Sequence, residues 1–148
     1  MSISTINYLT DIHFGVGAAA RLSDLLSSLD VSRPLLVTDK GLLDLGIEST
    51  LGLNNAAVFA NVPGNPSESS VLEGVTVYRE QDCDGIVAAG GGSPMDCAKS
   101  IALLTTHPAP LGQYALIHGG IERITGNKPP LIAVPTTAGT GSEVGRAS

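Results

Sequence analysis

The stretch Ala88-Ala89-Gly90-Gly91-Gly92-Ser93-Pro94-Met95-Asp96-Cys97-Ala98-Lys99 decides how the rest of the chain is read. The run Gly85–Ala89 leading into it is apolar on both sides, as a strand covered on both faces requires. Three adjacent glycines then let the backbone come very close to a ligand. Ser93 is predicted as the N-cap of the next helix, Pro94 as its first residue, and Leu104 as its end. Unpaired N–H groups at such a helix start form an anion site. The run reads as a phosphate cradle, with a tight strand-to-helix turn without a ligand as the alternative.

Working outward, short apolar runs alternate with helical periodicities. Ile3–Leu9 and Ile12–Phe14 are strand-like pieces around Thr10-Asp11. Gly15-Val16-Gly17 turns into Ala18–Leu29, where Ala18, Leu22, Leu25, Leu26 and Leu29 share one helical face. Leu35-Leu36-Val37 after Pro34 predicts a buried strand, Lys40–Leu51 a helix, and Ala56–Ala60 another strand. Pro63-Gly64-Asn65-Pro66 is a loop, and Ser67 can cap the helix carrying Val71, Val75 and Tyr78. The stretch 107–128 reads as loop with a little helix. Leu131–Val134 predicts a last buried strand, leading into Pro135-Thr136-Thr137-Ala138-Gly139-Thr140-Gly141-Ser142.

This alternation implies an α/β fold with a mostly parallel sheet flanked by helices, the Rossmann-like arrangement. Ligands bind such sheets outside the carboxyl ends of the strands. The turns after Ala60, Ala89 and Val134, and Asp39 after Val37, would share that rim. A second glycine motif competes. Gly15-Val16-Gly17-Ala18-Ala19-Ala20 has the G-x-G-x-x-A form, with Asp39 about 20 residues on, where an acid would bond a ribose. Thr10, Asp11 and His13 interrupt the strand before it, so it reads as an edge strand, whereas a phosphate-binding strand sits mid-sheet.

With 148 residues, 43% hydrophobic and 15% charged, the chain fits one domain with a substantial core. A formal net charge of -6 lacks the basic footprint of nucleic-acid binding. No apolar run is long enough for a membrane span, and the N-terminus has no secretory pattern. Cys83 and Cys97 lack metal-type spacing and read as reduced thiols of a cytoplasmic protein. His13, His107 and His118 share no metal-ligand spacing and read as surface or loop histidines.

The residues resemble one family throughout the chain. Gly90–Lys99 is similar to the GGGSxxDxAK motif of the iron-containing (group III) alcohol dehydrogenases. Pro135–Val144 resembles their PTTAGTGSEV motif. Val37-Thr38-Asp39-Lys40-Gly41, Pro63-Gly64-Asn65-Pro66 and Phe14-Gly15-Val16-Gly17-Ala18 fall in the matching order. The related glycerol dehydrogenases and dehydroquinate synthases share the fold but match these motifs less closely.

The resemblance implies a dehydroquinate-synthase-like N-terminal domain and reversible hydride transfer between NAD(P) and a small alcohol, aldehyde or ketone. It assigns the pyrophosphate to Gly91, Gly92 and Ser93, which leaves Gly15–Ala20 a structural turn. Asp39 would face the adenosine ribose and favour NAD over NADP; its alternative role is capping the Lys40–Leu51 helix. Asn65 would contact the adenosine side, or be an ordinary turn residue. Thr136, Thr137, Ala138, Gly139 and Thr140 would line the path from adenine and phosphate to nicotinamide, or form a turn bonded to itself. Asp96 would lie near the nicotinamide, or be a favourable charge in the first helical turn. Lys99 is its candidate ion-pair partner at i,i+3 spacing.

In that family iron, or another divalent metal, polarises the alcohol oxygen from a helical domain after the PTTAGTGSEV segment. The chain ends at Ser148, so the expectation is a nucleotide-binding fragment that binds NAD weakly and is itself inactive. A homodimer or larger homo-oligomer is implied. A stand-alone, non-catalytic nucleotide-binding regulatory module and a glycerol-dehydrogenase-like enzyme remain the alternatives.

Overall fold

The computed structural model describes residues 4–7 and 10–145. Strands β1 (Ser4–Asn7) and β2 (Asp11–Phe14) form a separate antiparallel pair, with Ser4 opposite Phe14 and Asn7 opposite Asp11. Ile3, Tyr8 and Leu9 of the expected first strand lie outside the described residues. The Gly15–Ala20 turn therefore follows a strand that is no part of the main sheet, as expected of a structural turn.

The main sheet holds β3 (Pro34–Val37), β4 (Ala57–Phe59), β5 (Gly85–Gly90) and β6 (Leu131–Pro135) in the order β4-β3-β5-β6. All three pairings are parallel, with Val37 level with both Phe59 and Ala88, and Gly90 level with Pro135. β3 and β5 are central and buried along their whole length. Their residues alternate between two cores, as the pleat dictates. Leu35, Val37, Ile86 and Ala88 pack in one core with Val71 and Val75 of α4 (Glu68–Glu80) and Met95, Ala98 and Ile101 of α5 (Gly92–Thr106). Leu36, Val87 and Ala89 face Leu22 and Leu26 of α1 (Leu22–Ser28), together with Leu51 and Leu53. The strand after β3 lies to one side and the strand after β5 to the other. The sheet thus has its switch point between β3 and β5.

Several expectations need correction. The predicted helix Lys40–Leu51 is two short helices, α2 (Lys40–Asp44) and α3 (Ile47–Thr50), because Gly46 adopts a left-handed φ of 77°. Ala18–Arg21 is a 3-10 turn before α1, and Leu29 of the proposed apolar face is 44% exposed. β6 is half-buried rather than buried, since among the described residues it has a neighbouring strand on one side only. Ser67 does cap α4: its hydroxyl accepts from Ser70 N–H, and Ser70 Oγ accepts from Ser67 N–H at 3.1 Å. Tyr78, on the same side as Val71 and Val75, is only partly buried against the core.

Asp84, just before β5, staples the opposite end of the sheet. It accepts from the backbone N–H of Arg33 (2.8 Å) and Ser32 (3.1 Å) and from Ser32 Oγ (2.8 Å). Burial alone would raise its pKa, but these donors and the Arg33 guanidinium outweigh burial and hold it below the usual carboxylate value.

Candidate functional site

The switch point opens into a cleft of about 460 Å³ at the carboxyl ends of β3 and β5. On the β3 side, Thr38 N–H continues the ladder to Phe59 O (3.0 Å), and Asp39 leaves it. Asp39 is the N-cap of α2, its Oδ1 accepting from Leu42 N–H at 2.9 Å. That bond engages one lone pair of a carboxylate with several, so the cap does not exclude a second partner.

On the β5 side, Gly90 is required by conformation and by contact, and Gly91 and Gly92 face tight contacts. Gly90 has φ 151°, and a Cβ there would lie 2.6 Å from Pro94 Cγ. A Cβ on Gly91 would sit 3.1 Å from Thr137 Oγ1, and one on Gly92 3.3 Å from Ser142 Oγ and 3.4 Å from Thr140 Cγ2. The glycine turn and the 136–142 segment thus meet backbone against side chain. Thr136 N–H fixes the approach through Gly90 O at 2.9 Å.

The capping differs from the expectation. Gly91 is the N-cap of α5, with no side-chain cap, and Ser93 and Pro94 lie inside its first turn. Ser93 does not cap because it already lies within the helix, past the N-cap Gly91; its hydroxyl instead donates to Gly64 O, 29 residues away, at 2.8 Å. The first N–H groups of α5 therefore keep their unpaired character. α5 is 15 residues long with no acidic residue in its first turn, so its positive end faces the cleft undiluted.

Of the expected site residues, Asp39, Gly91, Gly92, Ser93, Thr136 and Thr137 line this one cleft. Asn65 is exposed on the adjoining loop. Ala138, Gly139 and Thr140 are exposed beyond the lining. Asp96 also stands outside it. It is the fifth residue of α5, not in the first turn, and pairs with Lys99 Nζ at 3.4 Å. Leu42, Val62, Pro63, Gly64 and Pro94 line the cleft without having been singled out as site residues. Leu42 could have been found, one helical turn after Asp39. The apolar Val62 carries no such signal. Thr38 Oγ1, buried at the end of β3, has no partner among the described residues.

A larger cleft of about 570 Å³ lies at the amino end of the sheet, beside Pro34 and Ala56. Four of its hydroxyls donate within the chain: Ser27 to Ser23 O, Thr50 to Gly46 O, Ser49 to Asn54 Oδ1 and Ser32 to Asp84 Oδ2. The Gly52 turn in its lining leads into no long helix, so the carboxyl-end cleft is the better ligand site.

His107 is not a surface or loop histidine but is buried at the C-cap of α5. Thr125 N–H can only donate, so His107 Nε2, 3.0 Å away, accepts. The ring proton then sits on Nδ1, facing Leu103 O at 3.1 Å. His13 Nδ1 accepts from Arg21, and His118 is exposed. Cys83 and Cys97 are free and buried; burial pushes the Cys97 thiol up to about 11. Among the described residues, no three His, Cys, Asp or Glu side chains cluster to hold a metal. Nor, among them, is any helix long and apolar enough to cross a membrane.

Residues 10–148 match the family model for iron-containing alcohol dehydrogenase. The chain is 51% identical over 146 residues to the 4-hydroxybutyrate dehydrogenase of Cupriavidus necator, covering 95% of this chain and 38% of that protein. It is 44% identical over 141 residues to the 1,3-propanediol dehydrogenase of Klebsiella pneumoniae, covering 90% and 35%. Among solved structures it resembles the sulfoacetaldehyde reductase of Bifidobacterium kashiwanohense in complex with NAD+, with a TM-score of 0.78 and 33% identity over 88% of this chain and 35% of that one. The chain thus spans little more than a third of these relatives.

Proposed function

The chain belongs to the iron-containing alcohol dehydrogenase family, and from that membership and the cleft we propose that it is the dinucleotide-binding part of a metal-dependent alcohol dehydrogenase. The observation that carries the reading is the cradle. Glycines that no Cβ could replace without crowding Pro94, Thr137 or Thr140 stand at the positive end of a long helix, at the switch point of a parallel sheet. That is the donor set a diphosphate needs.

NAD fits it. The N–H groups of Gly91, Gly92 and Ser93 would hold the diphosphate, Asp39 the adenosine ribose, and Asn65 the adenosine side. Thr136, Thr137, Ala138, Gly139 and Thr140 would line the way to the nicotinamide, with Asp96 toward that end. A carboxylate at position 39 accepts from ribose hydroxyls and repels a 2′-phosphate, which favours NAD over NADP. When bound, NAD supplies the hydride acceptor. A metal, iron or another divalent ion, would be held by a helical domain corresponding to the part of the relatives beyond the matched stretch.

The fold subtype we favour is the dehydroquinate-synthase-like one. The whole enzyme would interconvert small alcohols with aldehydes or ketones. The two relatives named for 4-hydroxybutyrate and 1,3-propanediol point to short primary alcohols with a second polar end. Assembly as a homodimer or larger oligomer in the cytoplasm completes the proposal.

Titration calorimetry of the 148-residue chain with NAD tests it. The expected result is saturable binding and no alcohol-dependent formation of NADH by the chain alone. Absence of NAD binding would remove the cofactor assignment, and NADH formation would remove the division of labour.

A further inference from the structure

We propose that the Ser93 hydroxyl is a positioning group that ties the Pro63–Pro66 loop, and with it Asn65, to the rim of the cleft, and does not itself bind phosphate. This deepens the cofactor reading above and rests on it. A serine hydroxyl has one proton. Here that proton goes to Gly64 O, 2.8 Å away. A diphosphate offers only acceptors, so while this bond stands the hydroxyl has nothing to give it. The Ser93 N–H, in the first turn of α5, remains free for that task. One residue thus does two separate jobs.

The tie falls where the loop lacks side-chain packing. A Cβ built on Gly64 would meet nothing within 4 Å, and Gly64 and Asn65 are both exposed. Pro63 and Gly64 nevertheless line the cleft opposite Gly91 and Gly92. The Ser93–Gly64 bond spans 29 residues and joins the β4–α4 connection to α5. Asn65 is the next residue after its acceptor, so its place depends on the tie.

The test compares Ser93→Ala, Asn65→Ala, the double variant and Ser93→Thr, which keeps a hydroxyl. In the ligand-free chain, the carbonyl carbon shift of Gly64 should move and the backbone order parameters of Gly64 and Asn65 should fall in Ser93→Ala, and both should return toward wild type in Ser93→Thr. Thermal melting should be nearly unchanged. An unaltered Gly64 carbonyl shift and unaltered order parameters in Ser93→Ala overturn the tie whether or not NAD binds. With NAD, each single alanine variant should weaken binding by about threefold to tenfold, the worth of one hydrogen bond, and the double variant no further. Inorganic pyrophosphate should bind wild type and Ser93→Ala equally. Additive losses, or a matching loss of pyrophosphate affinity in Ser93→Ala, would show that the hydroxyl meets phosphate directly. If the wild-type chain fails to bind NAD, the cofactor reading falls, and the Gly64 carbonyl shift and order parameters alone judge the tie.

Discussion

Asp39 holds two roles that a suitable pair of substitutions separates. Its Oδ1 caps α2 through Leu42 N–H at 2.9 Å, and it also lines the cleft. Asp39→Asn keeps an oxygen for the cap and removes the charge. Asp39→Ala removes both. Loss of the cap costs about 0.5–2 kcal/mol, so Ala should lower stability by about 1 kcal/mol and Asn by much less. The charge acts on the 2′-phosphate of NADP. At roughly 4 Å, unit charges repel by about 1 kcal/mol in water and about 4 kcal/mol near a protein surface. Asp39 is half-buried on a solvent-facing rim, so the lower part of that range applies. Removing the charge should tighten NADP about tenfold. An amide accepts ribose hydroxyls less well than a carboxylate, so NAD should weaken about threefold to tenfold. Calorimetry with both cofactors on wild type, Asn and Ala, beside urea denaturation of each, reads the two roles on separate axes. The reasoning would be refuted if wild type bound NADP as well as NAD, or if Asn left the ratio of affinities unchanged.

Other outcomes follow from the same geometry. Gly91→Ala should melt close to wild type yet lose NAD affinity by at least about tenfold, because the new Cβ stands against Thr137 Oγ1 on the face the diphosphate needs; wild-type affinity in this variant contradicts the cradle. Asp84→Asn should lose about 2 kcal/mol of stability at neutral pH by urea denaturation, since it weakens charge-assisted bonds to Ser32 and Arg33. Because the folded Asp84 pKa is lowered below 3.8, its contribution is present above that value and lost as pH falls through the depressed one. Coincident acid limbs for wild type and Asp84→Asn would sink this reading. Cys97, fully buried with its pKa at about 11, should resist thiol reagents at neutral pH until urea unfolds the chain; labelling of Cys97 in the native protein at the rate of a free thiol contradicts its burial.

The residues show unevenly how far a sequence reaches. The Gly85–Ala89 strand, the Ser67 cap and the glycine turn are written in signals a few residues long: apolar runs, hydroxyl caps and the absence of Cβ. So is the family, through two long motifs. Such signals act over one helical turn or one strand, and there the sequence alone suffices. What required the tertiary structure is everything that spans more. The order β4-β3-β5-β6 makes β6 an edge strand and leaves half-exposed a run that reads locally as buried. His107 Nε2 finds its donor at Thr125, 18 residues on. Ser93 reads as an N-cap by its neighbours, but the helix starts earlier with Gly91 as its cap, and the Ser93 proton goes to a carbonyl 29 residues away. A hydroxyl takes the partner that packing brings within reach, and packing is decided by the whole sheet rather than by the turn in which the residue stands.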